Sequence, residues 1–189
     1  MTTAKPLRAD ARRNRAALLA KAREVFAAGD FDLRFDDFAR LAGVGTGTLY
    51  RHFPTREALA EAVYREEIDA MRDRARELQT TLPPEQALTT LLRSMVSYLH
   101  THQGLARALA AFMATHSGAV SEGSQALGET ITDLMAAAAA DGAIRDDVRA
   151  GAVIMALQGI CTAYDHPDGQ THADDLLTLV LDGLRPDAS

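Results

Sequence analysis

The sequence contains one cysteine, no tryptophan and few aromatic residues of any kind, 5% of its 189 positions. Cys161 has no second thiol to pair with, and without a Cys-x-x-Cys there is no thiolate metal cage, so a reducing compartment fits. No run reaches the roughly 18 apolar residues that a membrane span requires. The first thirty residues are charged and lack the apolar stretch of a secretion signal. The expected location is cytoplasmic, with no membrane partner. Catalytic constellations are missing too. His100 and His102 are two apart and cannot share a helix face, and there is no His-Glu-x-x-His, nucleotide-binding loop or Gly-x-Ser-x-Gly. The sequence therefore reads as a non-enzyme with no cofactor.

What is present favours helices. Apolar residues make up 47% of the chain and charged residues 24%, as expected of a folded chain of one or two small domains. Alanine, leucine, arginine and glutamate are abundant, so the fold class is all-α. The net charge of −6 hides a division. Residues 1–56 hold 11 Lys and Arg against 6 Asp and Glu, a net +5, whereas residues 57–189 hold 9 against 20, a net −11. A basic segment joined to an acidic one is what a phosphate-binding module fused to a different kind of domain would show.

Apolar spacing places the elements. Leu18, Ala22, Val25 and Phe26 recur at three- and four-residue intervals and predict a helix over 10–28, ended by Gly29. Phe35, Phe38, Ala39 and Ala42 mark a second, short helix that stops at Gly43. A third follows Gly45, with Leu49 and Phe53 on one face. Beyond Thr55 a long helix carries Leu59, Val63 and Ala70 to the break at Pro83 and Pro84. Further helices are predicted over 85–100, 104–116, 124–140, 147–164 and 173–184. Residues 1–9 are expected to form a flexible basic arm, 10–56 a first domain and 57–189 a second.

Two short helices joined by Gly43-Val44-Gly45 form a helix-turn-helix, whose second helix can enter a major groove. The exposed positions carry suitable chemistry. Thr46 and Thr48 can reach phosphate oxygens, base edges and thymine methyls, while Tyr50 and His52 reach flanking phosphates. Gly45 and Gly47 let the backbone approach the duplex, which accounts for two glycines in a place where each costs about 1 kcal/mol relative to alanine. Arg8, Arg12, Arg13, Arg15 and Lys21 crowd the start of the first helix, where the helix dipole disfavours cations. A nearby phosphate backbone would resolve that tension; so would ordinary solvated arginine.

The stretch Leu41-Ala-Gly-Val-Gly-Thr-Gly-Thr-Leu-Tyr-Arg-His-Phe-Pro-Thr-Arg-Glu-Ala-Leu59 resembles the signature of the tetracycline-repressor (TetR) family, and the spacing fits from Asp10 to Tyr64. The resemblance implies a recognition helix over Gly45–His52, with Tyr50 and His52 on phosphates and Arg51 near the groove. Arg56 stands where relatives usually carry lysine, and can still grip a phosphate. Two positions depart from the pattern. Arg34 and Gly45 replace the hydroxyl residues that usually begin the second and third helices. Arg34 becomes a candidate phosphate contact, with Asp32 or water left to satisfy the backbone donors there, and Gly45 removes one possible operator contact.

The resemblance also implies a homodimer, with the last two helices pairing across a two-fold axis on pseudo-palindromic double-stranded DNA. Ala152, Ala156, Gly159 and Ala163 form a small-residue stripe that suits this interface or the subunit's own core. An effector pocket between the fourth and seventh predicted helices has Met95, Tyr98, Phe112, Met113, Met135 and Leu157 as candidate lining; the same residues could simply be core. The implied function is that of a repressor released from its operator by an apolar or amphipathic small molecule. Two alternatives stay open: a metal-responsive regulator using Asp165, His166, Asp168, His172, Asp174 and Asp175, where a solvated turn is the plainer account and no metal site is assigned, and a protein-interaction module that no longer binds an operator.

Overall fold

Three glycines end three helices in the same way. Gly29, Gly43 and Gly142 have φ of 70°, 67° and 68°, a left-handed conformation that costs a residue without a Cβ little. At each, the glycine N–H and the next N–H turn back onto the preceding helix. Gly43 donates to the carbonyl of Arg40 at 3.2 Å and Val44 to that of Ala39 at 2.9 Å. The same pattern closes on Phe26 and Val25 after Gly29, and on Ala139 and Ala138 after Gly142. These are Schellman caps, which occupy carbonyls that a helix end would otherwise leave without partners.

In the computed structural model, residues 4–30, 33–101, 105, 117–163 and 168–186 are described, and all their regular structure is helical. The helices are α1 (Ala4–Ala27), α2 (Phe35–Leu41), α3 (Thr46–His52), α4 (Arg56–Thr81), α5 (Pro84–Thr101), α6 (Ser117–Ala140), α7 (Ala150–Ala163) and α8 (Gly169–Gly183). The helix expected over 104–116 lies outside the described residues, apart from Leu105.

Several boundaries differ from expectation. α1 begins at Ala4, so most of the expected arm is helical. Pro6 falls in its first turn, where the missing N–H would have had no partner in any case. α7 starts at Ala150 rather than at Asp147. The carboxylate of Asp147 is held instead by Arg145, in a loop whose Arg145 N–H donates to the carbonyl of Leu184 at 2.9 Å. α6 starts earlier than expected, at Ser117, and α8 at Gly169.

The chain divides into two compact units, residues 1–67 with 104–119, and residues 68–103 with 120–189. The boundary lies within α4, not at its start as the sequence suggested. The physical reason is that the first turns of α4 bury Leu59, Ala60 and Val63 in the core of the first unit. In that unit α1, α2 and α3 pack around Leu18, Leu19, Ala22, Phe26, Phe38, Leu49 and Phe53. Arg23 of α1 pairs with Glu67, and with Glu66 at 3.3 Å. Glu67 is the sole buried charged side chain among the described residues. In the second unit α7 and α8 lie along each other, both contact α5, and Leu88, Leu91, Leu92, Leu134, Val153 and Leu177 fill the core.

Candidate nucleic-acid interface

α3 is seven residues long and has one wholly buried side chain, Leu49. Together with Phe53 just past its end, Leu49 anchors the helix on Phe38 and the α1 stripe. A helix with so narrow an apolar stripe must turn the rest of its surface outward. Thr46, Gly47, Tyr50 and Arg51 are exposed, as is Gly45 before them; Thr48 and His52 are half-buried. Seven of the nine positions expected to meet DNA, all but Arg34 and Arg56, thus lie on one short element, with every polar one at least partly open to solvent.

Neither Gly45 nor Gly47 is required by the free protein. Gly45 has φ −73° and ψ 148°, which any residue can adopt. A Cβ at Gly45 would meet nothing within 4 Å, and one at Gly47 would come no nearer than 4.0 Å to Nη2 of Arg51. Among the described residues, no internal contact therefore accounts for two side-chain-free positions at the start of this helix. Gly43 differs, because its positive φ makes the turn between α2 and α3.

Tyr50 is 48% exposed, yet its hydroxyl is engaged. It donates to Oδ1 of Asp36 at 2.8 Å, and the ring packs edge-on against Phe35, with centroids 5.4 Å apart and planes at 83°. Hydrogen bonding to the Asp36 carboxylate raises the phenol pKa above its ordinary value, because ionisation would set two anions side by side. The sequence singled out Tyr50 and placed Phe35 on a helix face, but gave no sign of Asp36 or of either residue's contact with Tyr50. Fourteen residues separate Tyr50 from Asp36, and no helical spacing signals the pair.

The cations fall into two groups. Arg34, Arg51 and Arg12 are exposed, with no acidic partner among the described residues. Arg34 occupies the N-cap of α2 without a side-chain hydrogen bond to it, and Asp32 lies outside the described residues. Other cations are held internally. Arg13 pairs with Asp10, and Lys21 with Glu24 at 2.7 Å. Arg15 reaches Glu66 at 3.3 Å, its guanidinium 5.3 Å from the Phe53 ring centroid. Much of the crowding at the start of α1 is thus relieved within the protein.

Arg56 has an internal partner as well. Expected on a phosphate, it donates from Nη2 to the carbonyl of Leu33, and its guanidinium lies 5.7 Å from the centroid of the Phe38 ring. The side chain is half-buried and ties the start of α4 to the segment preceding α2. Thr55, just before it, caps α4, its Oγ1 accepting from the N–H of Ala58 at 3.2 Å.

Two family descriptions match the chain: "Bacterial regulatory proteins, tetR family" over residues 18–63, and "Transcriptional regulator SbtR-like, C-terminal domain" over residues 83–186. The TetR transcriptional regulator SCO0520 of Streptomyces coelicolor is 44% identical, with 92% of this chain and 99% of that one covered and a TM-score of 0.74. The chain belongs to the TetR family of transcriptional regulators. A TetR transcription regulatory protein of Mycobacterium vanbaalenii is 33% identical over 96% of this chain and all of that one, with a TM-score of 0.73. The HTH-type transcriptional regulator SAR0097 of Staphylococcus aureus (strain MRSA252) is 34% identical over 67 residues; the match spans about a third of that curated relative, 35% of its length, and 34% of this chain.

This TetR-family protein is a DNA-binding transcriptional regulator. In its second unit, three of the expected effector contacts, Met95, Met135 and Leu157, are buried in the core, and Tyr98 is half-buried. Phe112 and Met113 lie outside the described residues. A separate cleft of about 200 Å³ is lined by Glu85, Arg93, Ile144, Asp182 and Arg185, among others, and none of the six expected pocket residues contributes to it.

The small-residue stripe turns away from the core. Ala152 and Gly159 are exposed and Ala156 half-buried, while Val153, Leu157 and Ile160 point inward; Ala163 ends α7. Asp165 and His166 are outside the described residues, and Asp168, His172, Asp174 and Asp175 are exposed. No cluster of three metal-ligating side chains occurs among the described residues. No helix among them is long and apolar enough to cross a membrane.

Proposed function

We propose that this regulator works as a homodimer that reads a two-fold operator through Gly45–His52 and leaves it when a small apolar or amphipathic molecule binds its second unit. The observation that carries the reading is the division of α3, in which Leu49 is wholly buried while Tyr50, Thr46 and Arg51 face solvent. Such a helix is anchored from behind and offers hydroxyl and guanidinium groups in front, the groups that pair with base edges and phosphates. Arg34, Arg51 and Arg12 supply cations that pair with no acid among the described residues.

The dimer reading rests on α7 and α8. Met155 and Leu179 are 72% and 67% exposed, and they accompany Leu176 and the outward stripe of Ala152, Ala156 and Gly159. Large apolar side chains left open beside small ones are what a helix-packing interface requires. One short recognition helix makes few base contacts, and a second copy doubles them. For the effector, the fold relative Thermus thermophilus FadR, 18% identical, is a repressor in complex with lauroyl-CoA, which supports an amphipathic class of molecule. Release then follows from a preference of the effector for a conformation that binds DNA poorly.

Fluorescence anisotropy with a labelled duplex from the chain's own upstream region tests the DNA reading. The expected result is binding that beats a random-sequence duplex and weakens steeply between about 50 and 200 mM salt, with two subunits per duplex. Absence of binding, or binding indifferent to salt, would overturn it.

A further inference from the structure

An acid stands on the face that is read here as the DNA surface. Asp36 is exposed, has no cation within ion-pair distance among the described residues, and accepts the phenolic proton of Tyr50 at 2.8 Å. The neighbouring Asp37 is differently employed, accepting from Nε and Nη2 of Arg40 at 3.2 and 3.0 Å.

A tyrosine hydroxyl has one proton to donate, and phosphodiester oxygens can only accept. While Asp36 holds that proton, Tyr50 has no hydrogen bond to offer a phosphate, and the carboxylate repels one. Phe35 packs against the ring edge-on and itself rests on Phe38, with centroids 6.1 Å apart, which favours the position beside Asp36. We propose that Asp36 is a specificity-determining residue, competing with DNA phosphates for the proton of Tyr50 and thereby penalising contact with the backbone alone. The proposal rests on the DNA reading of α3 given above.

The consequence is selective. On arbitrary sequence, where binding is almost entirely phosphate neutralisation, Tyr50 must break a charge-assisted bond to contribute, and little is gained. On a matching sequence, base contacts along α3 hold the helix in register and repay the exchange. With the hydroxyl still donating to Asp36, the lone pairs of Oη also remain open to the amino groups of adenine or cytosine, which phosphates do not offer.

A plainer role exists for Asp36, since an acid in the first turn of a helix interacts favourably with the helix dipole. A double-mutant cycle on a random-sequence duplex at low salt separates the two. D36A should tighten binding about fivefold, the scale of one ordinary net hydrogen bond. In the Y50F background, which has no proton to compete for, the gain should fall below about twofold. D36N, which loses the charge but keeps an acceptor, should give a smaller gain than D36A. Equal gains with and without the hydroxyl would reduce Asp36 to a bare charge and overturn the proposal, as would no gain at all.

A second measurement needs no DNA. In the free protein, NMR titration of the Tyr50 ring should show ionisation above the ordinary tyrosine range, returning to it in D36A. An unshifted titration would overturn the proposal even if operator binding stands. Failure of wild-type protein to bind any duplex would instead bring down the DNA reading, and the proposal with it.

Discussion

The guanidinium of Arg56, at the first position of α4, donates to the main-chain carbonyl of Leu33 and lies 5.7 Å from the centroid of the Phe38 ring. One side chain thus joins the start of the long helix to the chain entering α2. Such a tie acts on folding before it acts on DNA. R56A is expected to lower unfolding free energy by about 2–4 kcal/mol, the sum of a charged hydrogen bond and a partly exposed cation–π contact. Thermal unfolding reads the loss. The slope of log affinity against log salt should stay unchanged; a slope smaller by about one with unaltered stability would return Arg56 to a phosphate.

Gly47 sets stability against binding. It lies inside α3 with room for a Cβ and no positive φ. G47A should therefore stabilise the protein by about 0.5–1 kcal/mol, the ordinary helical preference of alanine over glycine. Duplex affinity should fall in the same variant, because the added methyl holds the backbone off. Denaturant unfolding and anisotropy on one preparation check both, and unaltered affinity would mean that the close approach does not occur.

Met155 and Leu179 provide the test of assembly. A glutamate at either exposed position places charge in an apolar contact, and M155E or L179E should shift the protein from dimer to monomer in light scattering, with the helical circular dichroism kept. A dimer that survives both substitutions would move the interface elsewhere.

Acid sensitivity has a definite source in the loop between α6 and α7. Nε and Nη2 of Arg145 donate to the two carboxylate oxygens of Asp147 at 2.5 and 2.7 Å, and hold its pKa below the ordinary 3.8. A carboxyl whose pKa is depressed by folding adds stability above its unfolded-state pKa and loses it as pH falls through the folded-state one. D147N should thus be less stable than wild type at pH 7, and the gap should close below about pH 4 in urea titrations. A gap independent of pH would assign the effect to packing.

The pattern of buried residues was legible wherever a local rule governed it. Gly29 and Gly43 announced helix ends because a left-handed residue is needed there, and Leu49 with Phe53 announced the anchored face of α3 because both follow helical spacing. What escaped was pairing between exposed polar groups on different helices. Nothing in the order of residues says that the hydroxyl of Tyr50 donates to Asp36, or that Arg56 spends a donor on the carbonyl of Leu33. The start of α1 escaped for another reason. Pro6 and a run of charge look like an arm, but a first helical turn tolerates proline and charge alike.

Helix α4 contributes Leu59, Ala60 and Val63 to one core and Ala75 and Leu78 to the other. One helix therefore carries a separate apolar stripe for each core, and truncating a side chain acts first on the core that its stripe serves: Leu59→Ala should loosen the first unit and Leu78→Ala the second, as separate sets of amides in hydrogen exchange would register.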